Sequence, residues 1–166
     1  MLGLLSACSS NPPKKSSNSV SKSSSLYQQL EKKRLPKHLP VPVEGISRGK
    51  LVDTWGNARS QGRSHEGIDI MAKRGTPILS TTDGFISKIT SYGAGGNSIT
   101  IVGYALSQHY YAHLDRFGSY KVGDPVKKGD VLGYVGSTGN ASTPHLHYGI
   151  YLSPSRIATN PYPYLR

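Results

Sequence analysis

The chain has one cysteine, Cys8, among its 166 residues. A lone cysteine excludes an intrachain disulfide and every cysteine-based zinc site. Any metal must then be held by histidine and carboxylate. Nor is there an apolar run near the ~20 residues that a membrane-crossing helix needs. Acidic residues are scarce: 9 Asp and Glu stand against 20 Lys and Arg, for a formal net charge of +11. The excess sits mainly in the first third, where residues 1–50 carry nine Lys/Arg and two Asp/Glu. A basic tail of this kind suits nucleic acid, anionic lipid or an anionic polymer such as cell wall. It also suits a solvated linker that repels itself. The linker is the expectation, with no nucleic-acid partner. A long 3.6-period apolar stripe is missing after residue 50, which argues against a helical domain.

The N-terminus "MLGLLSAC" runs from apolar to small residues and ends at Cys8. Its "LSAC" resembles a bacterial lipobox, in which Cys8 becomes the lipidated first residue of the mature protein. Seven residues precede Cys8 and none is Lys or Arg, so the segment is shorter than a full secretory signal. Residues 1–8 are therefore expected to be the remnant of a lipoprotein signal. Residues 9–45 are expected to form a basic Ser/Lys/Pro-rich linker. Within it, "LYQQLEKKRL" (Leu26–Leu35) could make two or three helical turns, ended by Pro36. His38 lies in the proline-broken stretch that follows and reads as a plain linker residue.

From residue 46 to 166 the texture is β. "TPILS", "GFISKIT", "NSITIVG", "QHYYAHL", "DVLGYVG" and "HLHYGIYL" are short runs rich in Ile, Val, Tyr and Thr, separated by Gly, Pro, Asn and Asp. The expected fold is mainly β: an antiparallel sandwich or open barrel of the duplicated barrel-sandwich hybrid type, with little helix. The repeat behind the last term is the likeness of "RGTPILSTTDGFISKI" to "VGDPVKKGDVLGYV". Biotin and lipoyl carriers share such folds. A carrier needs a lysine between Met or similar residues at a hairpin tip, and "VKKGD" lacks that flanking.

Strand geometry organises the polar residues. Side chains alternate faces, so positions i, i+2 and i+4 point one way. His145 and His147 in "STPHLHYGI" then share a face, ~6–7 Å apart. His65 and Asp69 in "SHEGIDI" share one too if that stretch is extended. On "HYYAHL" the same rule groups His109, Tyr111 and His113. It puts His109 ~13 Å beyond His113, at the rim of any site. "HEGID" looks like the start of a helical zinc-peptidase motif with Glu66 as general base. Gly67 and "IDI" read as strand instead, which turns Glu66 away from His65 and out of the chemistry.

"HEGIDI", "YAHL" and "PHLHYGI" resemble, in order, the His-x-x-x-Asp, His and His-x-His motifs of the lysostaphin/LytM-type zinc metallopeptidases, which cut peptidoglycan cross-links. The resemblance runs from about Asp53 to Ile150 and includes "GTPILSTTDGFI" and "VKKGDVLGYVGSTGN". It implies that His65, Asp69 and His147 bind one Zn²⁺ and that His113 and His145 are the catalytic histidines. Which of those two is the general base stays open. It implies a zinc endopeptidase of peptidoglycan, placed in the cell envelope and lipid-anchored through Cys8. In a Gram-negative host the location would be the periplasm or outer membrane. Relatives that have lost zinc ligands only activate cell-wall amidases. That makes a non-cleaving wall-binding module with an amidase partner the alternative, but all five positions are intact here. Gly149 departs from the family by replacing a commonly acidic residue. Asn97, Tyr111 and the "GSTGNAST" loop are expected to line a groove for substrate peptide. Tyr162 and Tyr164 should form a packed or frayed C-terminus.

Overall fold

The computed structural model describes residues 17–166, with side chains from Ser24 onward except that of Gln61. Cys8, the signal-like segment and residues 9–16 of the expected linker lie outside the described residues. The elements run α1 (Ser17–Lys32), β1 (Ile68–Met71), β2 (Pro77–Leu79), β3 (Gly84–Ser91), β4 (Asn97–Val102), β5 (Gln108–Phe117), β6 (Pro125–Val126), β7 (Val131–Val135), β8 (His145–Leu152), β9 (Ile157–Thr159) and α2 (Tyr162–Leu165). Every strand pairing is antiparallel, as expected. The main path is β1-β8-β5-β4-β3-β6. In addition β7 pairs with β5 and β2, and β9 with β8.

Period-2 patterning explains β8. Leu146, Tyr148 and Ile150 are buried in the core, while His145 and His147 alternate with them on the opposite face. In β1, Ile68 and Ile70 go inward and Asp69 goes to the other side. β8 lies between β1 and β5, so His147 stands opposite Asp69 on one flank and Ala112 on the other. The small Ala112 keeps the floor of that face low. The core beneath is aliphatic and tyrosine-rich, with Ile78, Ile86, Ile99, Ile101, Tyr111 and Leu132 sealed from solvent. Each fully buried Ile or Leu contributes about 1.5–3 kcal/mol of transfer free energy.

The segment before residue 46 differs from a free linker. Leu39 and Val43 belong to the same core, and Val43 bridges to Ile78. Arg48 ties this segment to the C-terminus by donating to the carbonyls of Leu165 (2.6 Å) and Leu39 (2.9 Å). The prolines of residues 36–43 bar regular secondary structure, not burial. Helix α1 is also longer than the two or three turns expected, and starts at Ser17 inside the serine-rich stretch. Leu30, 1% exposed, anchors it, and Lys33 lies over the Tyr104 ring at 4.9 Å. Once a packed turn exists, each further residue adds one hydrogen bond without a new nucleus, so even serines extend the helix. The C-terminus is packed: Leu165 is buried, and Tyr162 and Tyr164 lie against the core. Among the described residues no helix is long and apolar enough to cross a membrane.

Candidate metal centre

Two segments bring three donors together. A hairpin at residues 54–65 precedes β1, closed by the Ala58–Ser64 bridge and by His65 N–H donating to the Asn57 carbonyl (2.9 Å). Thr54 serves it twice. Its carbonyl accepts from His65 Nδ1 (2.7 Å), and its Oγ1 accepts from the Asp69 backbone N–H (3.0 Å). With Nδ1 donating, a neutral His65 presents the lone pair of Nε2. That Nε2 lies 2.8 Å from His147 Nδ1 and 3.0 Å from Asp69 Oδ1; His147 Nδ1 and Asp69 Oδ1 are 3.2 Å apart. Donors around tetrahedral zinc, at ~2.0–2.1 Å from it, stand a little over ~3 Å apart. Two imidazole nitrogens and a carboxylate oxygen converging on one point suit a divalent cation. His65, Asp69 and His147 thus form a group able to hold a metal ion.

The surroundings favour that state. Burial pushes the Asp69 carboxyl upward, but its side-chain contacts with His147, His65 and Arg59 outweigh it and hold it well below the usual carboxylate range. Arg59 binds Asp69 Oδ2, which leaves Oδ1 to the histidine pair. Burial lowers the His147 pKa, which favours the neutral ring. Gly67 is required beside it. A Cβ there would fall 2.6 Å from the Tyr148 carbonyl and 2.7 Å from His147 Cε1, so any side chain would displace the imidazole.

Two more imidazoles stand next to the triad. The His113 and His145 rings are 4.8 Å apart, His113 is 6.0 Å from the His147 ring, and His145 Nε2 is 3.7 Å from Asp69 Oδ1. Each is held through Nδ1: His113 by the Thr138 carbonyl (2.8 Å) and His145 by the Thr143 carbonyl (2.8 Å). A neutral ring so held keeps Nε2 for accepting a proton. Burial lowers the His113 pKa to about 4, only partly offset by the Thr138 contact.

His113 reaches this place by breaking the strand rule. Its φ is +66°, and it sits in a bulge where Tyr111 to Leu114 on β5 opposes Ile99 to Asn97 on β4, three steps against two. The left-handed residue resets the alternation. Tyr110, Ala112 and His113 then line the groove, while Tyr111 and Leu114 go to the core.

The expected common face of His109, Tyr111 and His113 is therefore wrong. Tyr111 does not line a groove: it is 0% exposed, with its hydroxyl 2.9 Å from Thr81 Oγ1. His109 is not at a rim. It is sealed in the core, with Nδ1 2.8 Å from Tyr148 Oη and Nε2 3.0 Å from Ser107 Oγ. Asn97 is not among the groove-lining residues either. Its side-chain amide donates to the Asp115 carbonyl (3.2 Å), and its backbone N–H to Thr138 Oγ1 (2.9 Å), so it secures the loop that holds His113.

The groove itself is about 520 Å³. Ala94 and Gly95 from one turn and Asn140–Ser142 from the "GSTGNAST" loop line it, as expected of that loop. The two turns interlock. Asn140 N–H donates to the Ala94 carbonyl (3.0 Å), and a Cβ on Gly96, whose φ is +58°, would lie 2.4 Å from Gly139 N. Strand reasoning missed Arg59, Tyr110 and Tyr151, which also line the groove. The alternation in "YYAHL" would have found Tyr110 had the bulge been known. Nothing in the sequence marked Arg59. Gly149, the departure from the family pattern, packs beneath. A Cβ there would stand 3.1 Å from the Glu66 carbonyl and 3.4 Å from the Tyr151 ring.

Similarity to known proteins agrees with this geometry. The model of peptidase family M23 matches residues 63–161. The chain belongs to peptidase family M23. It is 41% identical over 125 residues to the L-Ala–D-Glu endopeptidase of Bacillus subtilis (strain 168), covering 68% of this chain and 38% of that protein. It is 38% identical over 110 residues to the glycyl-glycine endopeptidase ALE-1 of Staphylococcus capitis, covering 63% of this chain and 30% of that protein. Among solved structures, the catalytic domain of the antimicrobial peptidase lysostaphin from Staphylococcus simulans superposes with a TM-score of 0.61 at 33% identity. That match covers 69% of this chain and 90% of the other. The M23 chain thus spans less than two fifths of the length of these curated relatives. Its M23 match encloses all five groove residues, His65, Asp69, His113, His145 and His147.

Proposed function

We propose that this chain is a zinc-dependent endopeptidase that hydrolyses peptide cross-links of bacterial peptidoglycan. The observation that carries the proposal is the convergence of His65 Nε2, Asp69 Oδ1 and His147 Nδ1 within 3.2 Å of one another, beside two further imidazoles in an open groove. His65, Asp69 and His147 would hold the ion. When bound, a zinc ion polarises a peptide carbonyl and makes water acidic enough to react near neutral pH.

The chain's own residues do the rest. His113 and His145 are the catalytic pair, each with Nδ1 tied to a carbonyl and Nε2 left for the reactants. One accepts the proton of the attacking water. The other, in its protonated form, donates to the oxygen that gains negative charge. The interlocked 94–97 and 138–142 turns give an extended peptide fixed walls, so that orientation is set before reaction. Glu66 lines the groove but has no part in these proton transfers.

The non-cleaving alternative, a wall-binding activator of amidases, gains nothing from the site, since such a module needs neither the ion nor the histidine pair. Cell-envelope location and lipid anchoring through Cys8 belong to the same proposal, supported by the "LSAC" motif. Fatty-acid label should enter the full-length protein and not its Cys8→Ser variant; equal labelling sinks the anchor. For the enzyme reading, purified protein is analysed for zinc and incubated with sacculi, and the fragments are identified by mass spectrometry. Wild type should carry one ion and release peptide fragments that His147→Ala does not. If zinc-loaded wild type and His147→Ala release the same fragments, or neither releases any, the enzyme reading ends.

A further inference from the structure

A second cavity, about 460 Å³, adjoins the groove through Ser64, His65 and Glu66. His65 is the partition: its imidazole serves the metal triad while the residue also lines this cavity. The remaining wall holds Trp55, Arg156 and Ile157. Trp55 is the chain's only tryptophan, and it is half-buried here instead of filling the core. Ile157, 63% exposed, is likewise spent on the surface. Arg156, with φ +53°, occupies a left-handed position that a non-glycine residue holds at a cost.

These walls are braced. Asn160 donates from its side-chain amide to both Asp53 carboxylate oxygens (3.2 and 3.0 Å), and Trp55 N–H donates to Asp53 Oδ1 (3.1 Å). Gly56 N–H donates to the His65 carbonyl (2.9 Å). The tryptophan segment is thus fixed to the turn after β9 on one side and to the metal-site hairpin on the other. A cavity held in shape beforehand loses little entropy when it binds.

We infer that this cavity is a saccharide subsite that takes a sugar ring of the glycan strand. The inference rests on the reading that the chain acts on peptidoglycan. The lining suits that occupant. A pyranose has apolar C–H faces, which pack on an indole, and rim hydroxyls and acyl groups, which need both donors and acceptors. Trp55 and Ile157 supply the apolar wall, the Arg156 guanidinium supplies planar donors, and the Glu66 carboxylate supplies acceptors. An acidic peptide side chain would use the guanidinium alone and would be repelled by Glu66. Continuity with the groove also fits. A stem peptide advances at most ~3.3–3.6 Å per residue, so a sugar lies only a few residues from a peptide bond at the metal site.

Because Trp55 is the only tryptophan, intrinsic tryptophan emission of the full chain reports on this cavity directly. The probe is the N-acetylglucosamine–N-acetylmuramic acid disaccharide without peptide, titrated alongside a free stem peptide without sugar. The disaccharide should change the emission saturably, and Arg156→Ala, an exposed position that leaves the fold intact, should weaken it about tenfold, the loss expected for a hydrogen bond from a charged donor. An emission that the disaccharide leaves unchanged at millimolar concentration overturns the inference, as does a response to the stem peptide alone. Sacculus digestion by the same preparation separates the two proposals. Digestion without a disaccharide response removes the subsite and leaves the enzyme. A disaccharide response without digestion removes the enzyme and keeps the cavity as a wall-binding site.

Discussion

His109 and His113 sit four residues apart on β5 and occupy two different chemical worlds. Burial drives both below the ordinary imidazole range, His109 to about 3 and His113 to about 4. Yet His109 is closed among Tyr148, Thr81 and Ser107, whereas His113 stands in an open groove 4.8 Å from the His145 ring. The difference lies in one backbone angle. Without the left-handed turn at His113, the strand would send both rings to the same side. A single residue at φ +66° converts a core position into a groove-lining one.

Removing each ring in turn separates the two roles most sharply. His113→Ala should lower kcat against sacculi by about 10²-fold or more, the scale of lost acid–base catalysis, while its melting temperature stays near wild type. His109→Ala should do the reverse: it leaves partners unsatisfied in a sealed site, costs on the order of 2–4 kcal/mol in denaturant unfolding, and spares the kcat of the folded fraction. Equal losses of activity in the two variants would mean that the rings are not functionally distinct.

Next in size is the cluster around His109. Thr81 Oγ1 lies within 3.1 Å of Tyr111 Oη, Tyr148 Oη and His109 Nδ1. Thr81→Val, with nearly the same volume, strands those partners and should cost about 1–3 kcal/mol in urea unfolding.

The same cluster sets a pH dependence. His109 has a folded pKa of about 3 and an unfolded value near 6.5, so below pH ~6.5 the unfolded chain binds the extra proton. Its contribution is complete above pH ~6.5 and is lost as pH falls towards 3, with a slope of about 1.4 kcal/mol per pH unit. Urea unfolding between pH 7 and 4 should show at least this slope, because the lowered His113 and His147 pKa values add in the same direction, and His109→Gln should reduce it.

The smallest effect is the most specific to the bulge. His113→Gly and His113→Ala both lose the ring, but only glycine takes the left-handed angle freely. His113→Gly should be more stable than His113→Ala by about 1 kcal/mol. Equal stabilities would remove the backbone argument.

The contrast between the two histidines also shows where a sequence stops being legible. The alternation in "PHLHYGI" and "GIDI" is enough to put His145, His147 and Asp69 on one face, because regular strands repeat with period 2. β5 defeats the same rule, because its bulge uses a histidine where a glycine would have signalled it. Tyr111 and His109 are misplaced for that one reason. Leu39 and Val43 are hidden by prolines, which mark irregular backbone and say nothing of what covers it. Trp55 and Arg156 lie far apart in sequence and line one cavity, braced by the Asp53–Asn160 contact. The antiparallel architecture follows from short β-branched runs and turn residues, which are local signals.

Everything proposed for the groove depends on a division of labour within β8: His147 holds the ion and His145, two residues away, handles the proton. Zinc titration by calorimetry on wild type, His145→Ala and His147→Ala tests it most directly. One ion per chain is expected for wild type and for His145→Ala, and none for His147→Ala. Tight zinc binding retained by His147→Ala, or lost in His145→Ala, would contradict that division.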